Sequence, residues 1–241
     1  MTIFLGGRGK TTRRLASIFS TAATEVPFLI ASRTSCPSSP YRHVPFDWFD
    51  ESTWAQPFNA SEPNSHPAPV PSREYTLSAR PFFGHGPADD AITENFSEGQ
   101  HLLSIKEESL IYSAKGEGRI PFVSAEGIAR VAFRSLTDAR LHNTEHLILG
   151  PELLSHDDLE DILSSVLGRT ITHVNLSEAG FSARMESTLG IPQEYAQMLA
   201  VLETNAKNGA EDRMNNDAEK MTGKGFRDFA EASSGCWVKD S

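Results

Sequence analysis

The chain has 241 residues, 39% of them hydrophobic, and carries 22 Lys and Arg against 32 Asp and Glu for a formal charge of -10. That is enough apolar material for one large or one and a half ordinary domains, and the acidity argues against nucleic acid as the main partner, because phosphate binding needs a basic face. No stretch approaches the length of a membrane span and no charged-then-apolar leader precedes the first strand, so a soluble, cytoplasmic protein with no membrane partner is expected.

The first element is "IFLGGRGKT", residues 3–11, an apolar run that breaks into glycines. A P-loop needs a first glycine five residues before the glycine of Gly9-Lys10-Thr11, and that position is Phe4. What fits is a tighter turn, with Gly6 making the bend, Gly9 approaching a pyrophosphate closely, and Thr12 where a third small residue would let helix and strand pack. Gly6, Gly7, Arg8, Gly9, Lys10 and Thr11 are therefore candidate cofactor-binding residues. A plain glycine turn between any strand and helix is the alternative.

Next, "TTRRLASIFSTAA" places Leu15, Ile18, Phe19 and Ala22 at helical spacing, and "VPFLIASR" reads as a buried strand. Strand, glycine turn, helix and strand make one βαβ unit. The second strand ends in Ser32-Arg33, where an NAD enzyme places an acid for the ribose 2′-hydroxyl; serine and arginine suit a 2′-phosphate, hence NADP(H). A merely solvated Arg33 is the other reading. "HVPFDW" is a third strand-like piece, ending in Asp47-Trp48, where a carboxylate can meet an adenine and an indole can cover it; Trp48 is equally readable as core.

From Pro57 to Pro87 the chain places seven of its 14 prolines. Prolines at that density deny the ladder hydrogen bonds of a central strand, so 57–93 reads as irregular, either a substrate lid or a disordered or erroneous segment.

The second half is regular. In "IPFVSAEGIARVAFRSLT", Ser124 is an N-cap and Ile128, Val131, Ala132, Ser135 and Leu136 recur at helical spacing. "HLILG" reads as a strand. In "LLSHDDLEDILSSVLG", Ser155 caps a helix with acids in its first turn, an apolar stripe of Leu159, Ile162, Leu163, Val166 and Leu167, and Gly168 as the stop. "TITHVNL" is another strand. After Pro192 comes a helix with Tyr195, Met198, Leu199 and Leu202 on one face and Gly209 near its end.

Other candidate sites are thin. His142 and His146 have i, i+4 spacing but lead into a strand with no third ligand, so no metal is expected. Asp157, Asp158 and Asp161 read as a helix start and solvated face. His43, His101 and His173 have no partner that sequence identifies. Cys36 and Cys236 lack metal or redox spacing and read as free thiols.

Taken together, "GGRGKT", "FLIASR", "FDWFDESTW", "ENFSEGQHLLSIKEESLIYSA", "GRIPFVSAEGIARVAF", "LILGPELLSHDDLEDILSSVLGRTITHV" and "KNGAEDR" resemble the fungal ergot alkaloid reductases. These are the festuclavine and agroclavine dehydrogenases, NmrA-like members of the short-chain dehydrogenase superfamily. The likeness covers most of 1–56 and 94–232 and is most specific over 119–174. It implies an α/β fold with a Rossmann-like NAD(P)-binding parallel sheet over 1–123, and a remainder of the same domain, 124–241, with a smaller substrate-side region. The implied activity is NADPH-dependent reduction of a tricyclic iminium, derived from chanoclavine-I aldehyde, to agroclavine or festuclavine. Asn95 and Phe96 are the implied substrate residues, and glutathione and an upstream flavin reductase the implied pathway partners.

An iminium carbon is already electrophilic, so no acid is required and no Tyr-x-x-x-Lys pair is present; no catalytic side chain is assigned. The family carries two further strand-plus-helix units between "FDW" and "ENF". Here 34 residues, Ser61 to Glu94, occupy that interval, against the roughly sixty that two units need. Part of the central sheet is therefore expected to be missing, and the activity impaired. A non-catalytic NADP-binding NmrA-like regulator is the alternative function.

Overall fold

A computed structural model describes residues 2–5, 9–22, 28–33, 39–47, 50–56, 95–138, 147–213 and 226–238. The chain divides into two units, Met1–His85 and Gly86–Ser241.

The first unit opens with β1 (Thr2–Leu5), α1 (Lys10–Thr21) and β2 (Phe28–Ser32), followed by the short β3 (His43–Pro45). All three strands are parallel, in the order β1-β2-β3, with Ile3 opposite Leu29 and Ala31 opposite Val44. Two parallel neighbours need a crossover, and α1 supplies it between β1 and β2. Leu15, Ala16 and Phe19 are its buried positions; of the expected stripe Leu15 and Phe19 are buried, Ile18 is half-buried and Ala22, at the C-cap, is exposed. Leu29, Ala31 and Val44 form the core on the sheet, with Phe46 against it.

The second unit runs from α2 (Asn95–Glu98) through a π-helical turn (Ser104–Glu108), β4 (Leu110–Ser113), β5 (Ile120–Pro121), α3 (Ala125–Thr137), β6 (Leu153–Leu154), α4 (His156–Leu167), β7 (Thr172–Asn175), α5 (Glu178–Leu189), α6 (Gln193–Lys207) and α7 (Phe226–Ser233) to a 3-10 turn (Ser234–Trp237). β4 and β7 pair in parallel, and β5 pairs antiparallel with β6. The larger core joins Phe96, Ile105, Ile111, Phe122, Leu159, Leu163, Phe226 and Trp237. A smaller one, holding Phe181, Met185, Ala196 and Ala200, lies where α5 and α6 pack.

Several local expectations hold. The Ser124 side chain accepts from Gly127 N, Ser155 and Asp158 form a reciprocal capping box, and Gly168 closes α4 with φ 63. Others differ. "HLILG" forms no strand over 147–150; Gly150 N–H donates to Pro121 O at 3.0 Å, Pro151 follows without an N–H, and the pairing passes to Leu153–Leu154. In α3 the buried residues are Ala125, Gly127, Ala129 and Val131, while Leu136 is exposed. In α6 the face rotates further: Ala196, Ala200, Glu203 and Ala206 are buried and Met198 is exposed. On α6 the small Ala196 and Ala200 face Phe181 and Met185 of α5, so the large side chains of this core come from α5, with Leu199 packed at its edge.

Candidate functional site

In the first unit, parallel register puts the carboxyl ends of β1, β2 and β3 on one edge of the sheet, the edge where open α/β sheets bind ligands. Three features meet that edge. Gly9 is the N-cap of α1, with φ -63 and ψ 152 and no side chain to close the helix end. The first turn of α1 contains no acid and opens with Lys10 and Thr11, both half-buried, so backbone N–H groups and the helix dipole favour an anion there. Arg14 Nη1 donates back to Lys10 O at 3.1 Å.

Arg33 follows β2 and is exposed, while Ser32 is half-buried and its carbonyl accepts from Phe46 N at 3.1 Å, tying β3 to β2. Asp47 follows β3 in a braced loop: its N–H donates to Thr53 Oγ1 at 2.8 Å and its carbonyl accepts from Trp54 Nε1 at 2.9 Å. The Asp50 side chain caps that loop through Ser52 N. A pyrophosphate on the α1 N-terminus, a 2′-phosphate on Arg33 and an adenine near Asp47 would match this edge in type and order. Gly6, Gly7, Arg8 and Trp48 lie outside the described residues, as do His142 and His146.

In the second unit, Asn95 is half-buried at the start of α2, and Phe96 is 1% exposed. The Phe96 ring packs edge-on to Phe122 and Phe226 and stacks on His101, and its carbonyl accepts from Trp237 Nε1 at 2.7 Å. Phe96 is thus held by the core.

The same core holds polar groups that sequence spacing does not reveal. Ser113 Oγ lies 2.8 Å from His173 Nε2, and His173 Nδ1 lies 2.6 Å from Asp157 Oδ1. The Asp157 carboxylate accepts only, so Nδ1 carries a proton, and the direction of the bond between Nε2 and the Ser113 hydroxyl follows the protonation of the ring. The order is that of a hydrolase triad, yet Ser113 is 0% exposed, and a sealed hydroxyl meets no substrate. The chain instead ties β4, β7 and the first turn of α4 together. Asp157 thereby gains a partner that a solvated face does not predict.

Beside it, His156 is 1% exposed and neither ring nitrogen has a hydrogen-bond partner. Its ring lies among His173, His101, Phe122 and Phe96, at 5.2, 6.1, 6.0 and 6.2 Å. Burial, with the charges of Lys115, His101 and His173, holds its pKa well below 6.5. Asp158 is different: burial pushes upward, but hydrogen bonds from the Ser155 backbone and hydroxyl, with the Arg119 guanidinium, outweigh it and hold the carboxyl below its usual value. Among the described residues no group of three or more His, Cys, Asp or Glu is arranged to hold a metal, and no helix is long and apolar enough to cross a membrane.

No family model matches the chain. Festuclavine dehydrogenase easG of Aspergillus fumigatus is 37% identical, the match covering 99% of this chain and 100% of the relative. Agroclavine dehydrogenase of Claviceps fusiformis is 35% identical, covering 99% of each. The first match runs over 291 positions against 241 residues here, so at least 50 positions of the relative stand opposite gaps. Among solved structures, the Citrobacter sp. triphenylmethane reductase complexed with NADP(H) superposes with a TM-score of 0.68 at 14% identity, covering 96% of this chain and 99% of the other. That likeness shows the fold, Rossmann-like and α/β.

Proposed function

The chain belongs to the festuclavine and agroclavine dehydrogenase family of oxidoreductases, and from that membership we propose that it reduces a tricyclic clavine iminium with NADPH, giving agroclavine or festuclavine. The near full-length match to festuclavine dehydrogenase carries the reading. The acid-free, glycine-capped start of α1 supports a dinucleotide pyrophosphate there, and the exposed Arg33 supports NADP(H) over NAD(H). Bound NADPH supplies a hydride. The protein's part is to hold the pyrophosphate on the α1 amides and the 2′-phosphate at Arg33, to orient the ring that donates, and to exclude water from the acceptor. Because the iminium nitrogen already bears the positive charge, no side chain has to protonate a developing oxyanion.

The shortfall of at least 50 positions against the relative favours a second reading, in which the chain binds NADP(H) with little or no turnover. Ligands of such sheets sit between adjacent strand ends, so loss of a central strand removes a wall of the pocket. Incubating the chain with chanoclavine-I aldehyde, glutathione and NADPH, and analysing for clavines, separates the two. Clavine formation supports the reductase; saturable NADPH binding without clavine supports the second reading.

A further inference from the structure

We propose that the C-terminal segment of the second unit, α7 with the 3-10 turn after it, is a latch that opens and closes as one piece and orders the wall of a cavity when it is seated. The cavity measures about 80 Å³, and one side of it is lined by Gly99, Gln100, His101, Leu103 and Ser104. All five belong to the stretch that runs from α2 into the π-helical turn.

That stretch cannot hold its own shape. α2 has four residues and the π-helical turn five, far short of the ~12–15 at which an isolated helix becomes even marginal in water. Ser109, which closes the π-helical turn, has φ 62, the sole positive φ among the described non-glycine residues. Such a conformation persists only where the surroundings enforce it. A Cβ on Gly99 would sit 2.8 Å from Asn95 Cα, so the chain also doubles back tightly there. The geometry of the wall is therefore imposed from outside it.

Trp237 imposes it at both ends. In front of the lining residues, its indole Nε1 donates to Phe96 O at 2.7 Å. Behind them, its carbonyl accepts from Arg169 Nη2 at 3.2 Å. The same nitrogen donates to Ile105 O at 2.7 Å, and Arg169 Nη1 donates to Ser109 Oγ. The residues between Phe96 and Ile105 are thus spanned by one buried tryptophan and one shared guanidinium. At the far end of the latch, the Phe226 ring packs edge-on to Phe96 at 5.2 Å, and Phe229 lies 6.3 Å from the Trp237 ring.

The latch is docked through few anchors. Phe226, Ala230 and Trp237 are buried, and most of the residues between them are exposed. A helix of eight residues is ordered only while it is docked, so release of Trp237 releases α7 as well. Segments secured in this way open as cooperative units at less than the cost of global unfolding. Opening withdraws the indole N–H from Phe96 O and the Trp237 carbonyl from Arg169, and the wall loses both of its ties to the latch. A ligand that needs the ordered wall binds only the latched fraction, so whatever shifts the latch scales the apparent affinity of the cavity by that fraction.

Native-state hydrogen exchange of the full chain, in sub-denaturing urea, tests this. The wall is reported by the amides of His101, Leu102 and Ile105, which donate to Asn95 O, Gly99 O and His101 O, and the latch by Ala230 inside α7. Leu159 and Leu176, which donate to Ser155 O and Ser113 O, report the rest of the unit. After correction for intrinsic rates, wall and latch amides are expected to exchange through one opening with a common urea dependence, about tenfold or more faster than Leu159 and Leu176. Trp237→Phe keeps a ring and removes the N–H donor; it should speed wall and latch together by about tenfold and leave Leu159 and Leu176 unchanged. Exchange of the wall only in the global unfolding that also exposes Leu159 overturns the proposal, as does opening of wall and latch independently of each other. A Trp237→Phe variant that speeds every reporter equally, or none of them, overturns it too.

Discussion

Lys115 Nζ lies 2.5 Å from Glu203 Oε1, and each side chain is 2% exposed. The pair joins the loop after β4 to the middle of α6, and Glu203 Oε2 also accepts from Ala114 N at 2.9 Å. Two charges leave water here, so the pair itself need not stabilise the fold relative to an apolar pair; breaking it on one side is what is costly. Glu203→Gln is expected to destabilise the second unit by ~3–5 kcal/mol, with Lys115→Met/Glu203→Leu recovering a large part of the loss. Urea unfolding of the three proteins measures both.

Acid should weaken the same unit through His156. Its folded pKa lies well below the ordinary 6.5, so below pH 6.5 the unfolded chain takes up a proton that the folded chain refuses. Stability is then complete above 6.5 and falls as pH drops, by up to ~1.4 kcal/mol per pH unit, until the folded pKa is reached. The facing groups are His101, His173 and Lys115. Melting curves between pH 7.5 and 5 should show a fall that His156→Phe flattens; an equal fall in both proteins would assign the effect elsewhere.

Two glycines are required by close approach. A Cβ on Gly150 would sit 1.8 Å from Phe122 O, and one on Gly118 would sit 2.4 Å from Ala206 O, backbone atoms in both places. Gly150→Ala and Gly118→Ala are each expected to lose at least ~1–3 kcal/mol. Gly168→Ala, with no heavy atom within 4 Å of its Cβ position but φ 63, should lose only the ~1–2 kcal/mol of a left-handed residue. Denaturant midpoints for the three variants rank them.

In the first unit, Arg33→Asp should reverse cofactor preference, weakening NADPH by about ten- to a hundredfold through loss of a charge-assisted contact while leaving NADH little changed. Titration with each cofactor checks this; unchanged NADPH affinity would make Arg33 a solvated arginine.

Local signals in the sequence were legible where the chemistry was local. The Ser155 capping box, Gly168 as the stop of α4, and the βαβ order of residues 2–32 each depend on neighbours within a few positions. The α6 face was not legible, because the large Met198 and Leu202 outweighed Ala196, Ala200 and Ala206 in a hydrophobic pattern, while Phe181 and Met185 of α5 fill the space over Ala196 and Ala200 and Lys115 draws Glu203 inward. Helix α5 escaped for a related reason: polar and apolar residues are mixed around it, and its marks are Ser177 at one end and Gly190 at the other. The Ser113–His173 contact spans 60 positions, and no local spacing encodes it. Of the candidate cofactor residues, Gly9, Arg33 and Asp47 follow the ordering of parallel strands, a property of topology that the motif already contains.

The central claim is hydride transfer from NADPH to an iminium carbon, and isotope transfer tests it most directly. With NADPH carrying deuterium at the transferable position of the nicotinamide C4, the iminium and the full chain, the account predicts a clavine bearing one deuterium at the former iminium carbon, formed in equal amount to the NADPH oxidised. A chain that binds NADPH saturably yet yields no clavine, or yields one without deuterium, would contradict it.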